Sequence, residues 1–240
     1  MTRADMKYNL FKNCRVVINA GTEVLKIDGM GAPARETPAQ EMAGVNIQRT
    51  YEDYSVFMEN LDGVKVGDRV RLPAFTVPAV KMDGDEVMEF DEKNIRADDA
   101  IVIGKDKNGD LILIFDHCLF ESAIDLNNEK RFEMTQLGQY LQQEFLHAMN
   151  GAGIPAKSCG LISKDEMFGN NALEYFKAGR NRIAFDFDED CARYYWLSTL
   201  YDEITSVTYF YLVRSNGNIT NAYASYANIC VRPRFVIAGI

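Results

Sequence analysis

Histidine is almost absent from this chain: two residues in 240, His117 and His147. Neither has a serine or cysteine partner in a nucleophile motif, so acyl-transfer chemistry of the Ser-His or Cys-His kind has no foothold. Both are expected to be structural. No phosphate-binding glycine loop and no dinucleotide fingerprint occurs, which removes the common nucleotide-dependent classes. No apolar run approaches the roughly 20 residues that span a bilayer, so no membrane insertion is expected. The start, "MTRADMKYNLFKNCRVV", lacks an apolar signal core, and the chain is expected to be made and folded in the cytoplasm. A basic excess is also missing. The formal net charge is -9, and phosphate backbones need a positive field, so no nucleic-acid partner is expected. The five cysteines (Cys14, Cys118, Cys159, Cys191, Cys230) are odd in number and scattered. They form no CxxC or Cys/His set with metal spacing and read as reduced, mostly buried thiols.

Carboxylates are plentiful, but their pattern is not that of a metal loop. "DFDED" (Asp186, Asp188, Glu189, Asp190) reads as a solvated strand end, because no glycine-containing ligand loop follows it. "DKNGD" (Asp106 to Asp110) reads as a hairpin turn around Asn108-Gly109. No metal and no cofactor is expected.

What remains is ordinary globular material, 47% apolar and 25% charged, in one large domain or one domain with an extension. Residues 1–58 form a distinct N-terminal segment, an extension or small β subdomain. It contains the strand-like "CRVVINAG" and "TEVLKI" and the loop-like "DGMGAPARETPAQEMAG". Residues 59–240 form the main domain. "GVKVGDRVRLPAF" alternates as a half-buried strand does, and "AIVIGKDKNGDLILIFD" is a hairpin. "MTQLGQYLQQEFLHAMNGAG" places Leu137, Tyr140, Leu141, Phe145 and Met149 at helical spacing, with Gly151 as the expected stop. A second helix is expected from Ser163, which has capping-box spacing to Glu166. The remainder reads as strands and turns.

Tyrosine is unevenly spread. Seven of the 12 tyrosines fall between Tyr194 and Asn228, among Ser, Thr, Asn and Ala. In "VTYFYLV", alternation sends Tyr209 and Tyr211 one way and Phe210 and Leu212 the other. Tyrosine offers broad, rigid contact area with one polar handle, while Ser and Asn adapt their hydrogen bonds; binding loops of antibodies use the same vocabulary.

Several separated pieces carry a resemblance. "GLISKDEM" (Gly160 to Met167), "YWLSTLY" (Tyr195 to Tyr201), "SNGNI" (Ser215 to Ile219) and "VRPRFVI" (Val231 to Ile237) resemble, in order and approximate spacing, segments of C-type-lectin-fold proteins related to formylglycine-generating enzymes. "VKVGDRV" and the helix around Leu141 resemble a broader branch found in gut bacteria and their phages. The particular resemblance is to variable proteins of diversity-generating retroelements. In these, adenine-directed mutagenesis rewrites codons that cannot yield Glu, Lys, Gln, Met or Trp. Those five types make up 45 of the 240 residues here, so a 37-residue stretch should hold about seven, yet Ile204–Ile240 holds none. Strand structure also disfavours Lys and Glu, but the strand-like "VKVGDRVRL" and "EVMEF" contain such residues.

The resemblance implies an α+β C-type lectin fold, mixed and mostly antiparallel with two helices. It also implies a variable ligand-binding region near 194–230. Implied contact residues are Leu197, Tyr201, Asp202, Tyr209, Tyr211, Arg214, Asn218, Thr220, Asn221, Tyr223, Ser225, Tyr226 and Asn228. Trp196, Ser198, Thr199, Gly217, Val231, Arg232 and Pro233 would be scaffold. "VRPRFVI" is expected beside the tyrosine-bearing strands, with Val231, Phe235 and Ile237 turned inward. The implied partner is a protein or cell-surface ligand, the implied setting a virion or cell surface, and a homo-oligomer is compatible. The chain departs from the family in two respects. Calcium-binding Glu-Pro-Asn triplets are absent, and no cysteine pair of the enzymatic kind stands near the C-terminus, where Cys230 is alone. The chain is accordingly expected not to be an enzyme. The alternatives are an oxidoreductase like the formylglycine-generating enzymes, or a structural virion protein without variable binding.

Overall fold

The apolar runs flanking Asn108-Gly109 build the middle of the larger sheet. Asp99–Lys105 and Leu111–Phe115 pair antiparallel across that turn, in which the Asp106 carboxylate accepts the amides of Asn108 and Asp110. All five residues of Leu111–Phe115 are buried, as a strand covered on both faces requires. The sheet has six strands in the spatial order Ser55–Phe57, Arg69–Arg71, Asp99–Lys105, Leu111–Phe115, Arg234–Ile237 and Ala156–Gly160. These elements come from a computed structural model that describes residues 55–57, 63–170, 172–187, 191–202 and 207–237. The chain divides into two units, Met1–Asp53 and Tyr54–Ile240, and the description concerns the second. The expected N-terminal segment, apart from Ser55–Phe57, lies outside the described residues, as do Asp188, Glu189 and Asp190 of "DFDED".

A five-stranded sheet runs in the order Phe120–Glu121, Cys230–Val231, Tyr195–Asp202, Tyr209–Val213, Ile219–Tyr223. Most pairings in the molecule are antiparallel, with parallel exceptions such as Tyr195 against Cys230. The expected helix is present as one rod from Gln136 to Gly151, with a π-helical stretch at Leu141–Phe145. Thr135 caps it by accepting the Gly138 amide at 3.0 Å. Leu137, Tyr140, Leu141, Phe145 and Met149 are all fully buried. The stop differs by two residues. Gly151 is still helical, and the left-handed residue is Gly153 at φ 85°, where an L side chain would be strained. Ser163 opens the second helix, Lys164–Phe168, through the anticipated capping box with Glu166. A further short helix, Glu174–Lys177, follows. The architecture is α+β, mostly strands with few helices.

Two apolar clusters share the five-stranded sheet. One face sends Trp196, Phe210 and Leu212 into the main core with the long helix. The other sends Tyr195, Leu197, Val213 and Cys230 against Met167 and Phe176 of the short helices. The closing segment does not stay in one sheet as expected. Cys230–Val231 lies beside Tyr195, whereas Arg234–Ile237 crosses into the larger sheet between Leu111–Phe115 and Ala156–Gly160. Pro233 marks the crossing, because it has no amide to continue the first ladder. Val231, Phe235 and Ile237 are buried as expected, but Val236 is buried too, since both faces of that strand are covered.

Candidate functional site

The hairpin Tyr209–Val213/Ile219–Tyr223 aligns Tyr209 with Tyr223 and Tyr211 with Asn221. Period-two alternation therefore puts those four side chains on one face and Phe210, Leu212, Thr220 and Ala222 on the other. The turn between the strands needs Gly217, which has φ 80° and whose added Cβ would lie 3.1 Å from the Gly179 carbonyl oxygen. The neighbouring strand Tyr195–Asp202 is locally irregular. Its register against Tyr209–Val213 shifts between Trp196 and Leu200 and again before Asp202. The first shift has a visible cause: the Ser198 amide donates to the Ile162 carbonyl at 3.0 Å, and Thr199 Oγ1 accepts the Lys164 amide at 2.9 Å. The bulged strand then turns Tyr201 onto the face carrying Tyr209 and Tyr211.

The result is a continuous chain of five aromatic rings. Tyr201 meets Tyr211 at 5.1 Å and Tyr209 at 6.4 Å, Tyr209 meets Tyr223 at 4.4 Å, and Tyr223 meets Tyr226 at 5.3 Å between ring centroids. Three of these contacts are edge-to-face, an arrangement aromatic quadrupoles favour, and the Tyr209–Tyr223 pair is tilted. Tyr201 and Tyr226 are each 48% exposed and Tyr223 36%, while Tyr209 and Tyr211 are half-buried. The row continues the second apolar cluster. Near Val213 the short helices cover the face, and past them exposure rises, to 36% at Tyr223 and 48% at Tyr226. Lys164 stands at the border, its ammonium 4.4 Å from the Tyr211 ring centroid and donating to the Tyr211 hydroxyl at 3.1 Å. This cation over a ring face was not among the sequence candidates. Its only signal was membership of "GLISKDEM", which packs against "YWLSTLY".

The thirteen expected contact residues separate by position. Tyr201, Tyr209, Tyr211, Asn221, Tyr223 and Tyr226 come together. Ser225 and Asn228 are exposed in the turns that follow. Asp202 stands opposite Tyr209 in the ladder. Arg214, Asn218 and Thr220 gather at the hairpin tip on the opposite side, where Arg214 Nη2 donates to Thr220 Oγ1 at 3.1 Å. The register places Thr220 with Leu212 rather than with Tyr211. Leu197 is corrected outright. It is fully buried among Met167, Phe176 and Val213, so it is core and not a contact residue.

The scaffold residues are mostly inside. Trp196 is fully buried and donates its indole N–H to the Ser122 carbonyl at 2.8 Å. Tyr195 is buried as well, its hydroxyl donating to the Arg182 carbonyl at 2.6 Å; burial pushes its pKa well up, with Arg232 opposing. The buried Arg232 guanidinium lies 5.5 Å from the Tyr195 ring centroid and donates through Nε to the Phe115 carbonyl at 2.7 Å. His117 is buried, with Nδ1 2.8 Å from the Asp98 carboxylate. Cys118, Cys159 and Cys230 are buried free thiols, but Cys191 is disulfide-bonded, against the expectation of reduced cysteines. Cys230 is also not alone. Cys118 lies in hydrogen-bond contact with it, and burial pushes the Cys118 thiol well above its ordinary range.

Elsewhere, a concavity of about 700 Å³ is lined by Asp83, Asp85, Asp125, Asn127, Glu129 and Gln136 among others. Its most buried carboxylate, Asp125, is already engaged by the amides of Asn127, Glu129 and Gln136. It organises a loop. Among the described residues no cluster of His, Cys, Asp or Glu could hold a metal ion, and no helix is long and apolar enough to cross a membrane.

The chain matches no family model, no curated protein and no solved structure.

Proposed function

We propose that this chain is a ligand-binding protein whose tyrosine-rich surface is displayed on a C-type-lectin scaffold. In this reading it is a variable protein of a diversity-generating retroelement, acting at a virion or cell surface on a protein or other surface ligand. The observation that carries the reading is the row of five touching tyrosines. Residues spread from Tyr201 to Tyr226 meet on one face while their strand neighbours Phe210 and Leu212 are buried behind them. Binding hot spots depend on such clustered aromatic anchors. The absence of Glu, Lys, Gln, Met and Trp from Ile204–Ile240 supports the retroelement part of the proposal. Burial of both Cys118 and Cys230 weighs against an oxidoreductase, because a thiol acting on a substrate needs access to it.

Binding capacity can be tested before the natural ligand is identified. A display library randomised at Tyr201, Tyr209, Tyr211, Tyr223 and Tyr226 should remain folded in most members and should yield binders to unrelated protein targets. A library that is mostly unfolded, or folded and barren, would reject the reading. The retroelement part predicts an adenine-rich near-copy of the C-terminal coding region beside a reverse transcriptase gene. Its absence from the flanking DNA would remove that part alone.

A further inference from the structure

Among the described residues the outermost strand of the tyrosine sheet, Ile219–Tyr223, pairs on one side only. Which backbone groups its free side presents follows from the ladder. Arg214 donates its amide to the Asn218 carbonyl at 2.7 Å, and Ala224 donates to the Thr208 carbonyl at 2.9 Å. These are hydrogen-bonded pairs of an antiparallel ladder, in which bonded and non-bonded pairs alternate. Between them, Leu212–Thr220 and Phe210–Ala222 are bonded, whereas Val213–Ile219, Tyr211–Asn221 and Tyr209–Tyr223 are not. The amides and carbonyls of Ile219, Asn221 and Tyr223 therefore point away from the sheet. Tyr226 donates to the Tyr223 carbonyl at 3.0 Å. Among the described residues no backbone group pairs with the others. "ITNAY" also carries none of the usual guards of an exposed edge, neither lysine, nor proline, nor an inward charge.

We propose that Ile219–Tyr223 takes an extended segment of a protein partner as a sixth strand. Only an extended backbone supplies donors and acceptors at the two-residue spacing that Ile219, Asn221 and Tyr223 present. Alternate side chains of the added strand would lie on the tyrosine face beside Asn221 and Tyr223, and aromatic or β-branched residues suit that position. Every residue except proline presents the same backbone groups at these positions, so the docking mode survives other rewriting of the surface. A second copy is the less suited occupant. Symmetric pairing about Asn221 sets Tyr223 against Ile219 twice, and the Tyr223 carbonyl is already engaged at both ends. The inference rests on the tyrosine sheet being the binding surface.

Random linear peptides displayed as a library and selected on the full chain provide the probe. In the free, isotope-labelled protein the amides of Ile219, Asn221 and Tyr223 should exchange rapidly, and those of Thr220 and Ala222 slowly. Saturation with a selected peptide should slow the first three. Asn221→Pro deletes an outward amide while leaving the bonded pairs intact, and should weaken that peptide about tenfold or more relative to Asn221→Ala. Selected peptides that leave the three amides fast, equal binding by the two variants, or a library from which nothing is retained would each overturn the proposal. So would slow exchange in the free chain accompanied by a concentration-dependent dimer, which assigns the edge to a second copy. A peptide weakened by Tyr209→Ala and Tyr223→Ala but indifferent to Asn221→Pro removes the edge and leaves the tyrosine face standing.

Discussion

Residues of one chemical type divide sharply between two jobs in this domain. Tyr195 is sealed in the core with its hydroxyl on a carbonyl, while Tyr223 and Tyr226 lie open to solvent. The substitution Tyr223→Ala/Ser225→Ala/Tyr226→Ala should therefore cost little, since exposed positions usually stay within about 0.5 kcal/mol each. Trp196→Ala should cost about 3–5 kcal/mol, as a fully buried ring is deleted and the Ser122 carbonyl loses its donor. Chemical denaturation of both variants measures the contrast. Leu197→Ala gives a further check on the assignment of that side chain to the core. A loss of about 2–5 kcal/mol is expected there, whereas a surface contact residue would show almost none.

Among the elements, the strand Tyr195–Asp202 and the helix Lys164–Phe168 depend on each other. Thr199 receives an amide from the first turn of that helix, and Ser163 caps the same turn. Ser163→Ala should destabilise the domain by about 1 kcal/mol through the orphaned Glu166 amide, measured as a shift in denaturation midpoint. The strand Ala156–Gly160 predicts a pH effect. Burial pushes the Cys159 thiol up to about 12, with Arg234 and the Gly160 amide opposing. Below the ordinary thiol range both folded and unfolded chains hold this proton, so its contribution is fully present. Above about 9, the ordinary value, the unfolded chain releases the proton while the folded chain keeps it. Stability must then fall as pH rises from about 9 to about 12. Unfolding free energies across that window should decline less steeply in Cys159→Ala than in the unsubstituted protein, when each is compared with its own value at neutral pH. Equal slopes would mean that this thiol does not contribute.

At the scale of the whole domain, two apolar clusters hold the five-stranded sheet from both faces, and among the described residues they cover only part of one of them. Stability is thus concentrated behind Trp196, Phe210 and the long helix. Substitutions along the tyrosine row should leave the melting temperature nearly constant, while substitutions on the Phe210–Leu212 face should lower it. A calorimetric survey of single variants on the two faces of the hairpin would show that split, and equal losses on both faces would contradict it.

Local chemistry alone was enough for the elements that depend on nearby residues. The Asn108-Gly109 hairpin, the apolar stripe from Leu137 to Met149 and the Ser163–Glu166 capping box are each decided within a few positions, and all three are present. The alternation of Tyr209 and Tyr211 against Phe210 and Leu212 was equally legible, because period two is a property of the strand itself. Tertiary structure decided what depends on partners distant in the chain. Leu197 went to the core because Met167 and Phe176 cover it. Thr220 left the tyrosine face because the register is set by the hairpin turn at Gly217. Cys230 acquired Cys118 as a neighbour, and Lys164 came to lie over Tyr211. The closing segment split between two sheets at Pro233. In each case a ladder register or a packing contact between distant segments made the choice, and neither is written in the residues on one side alone.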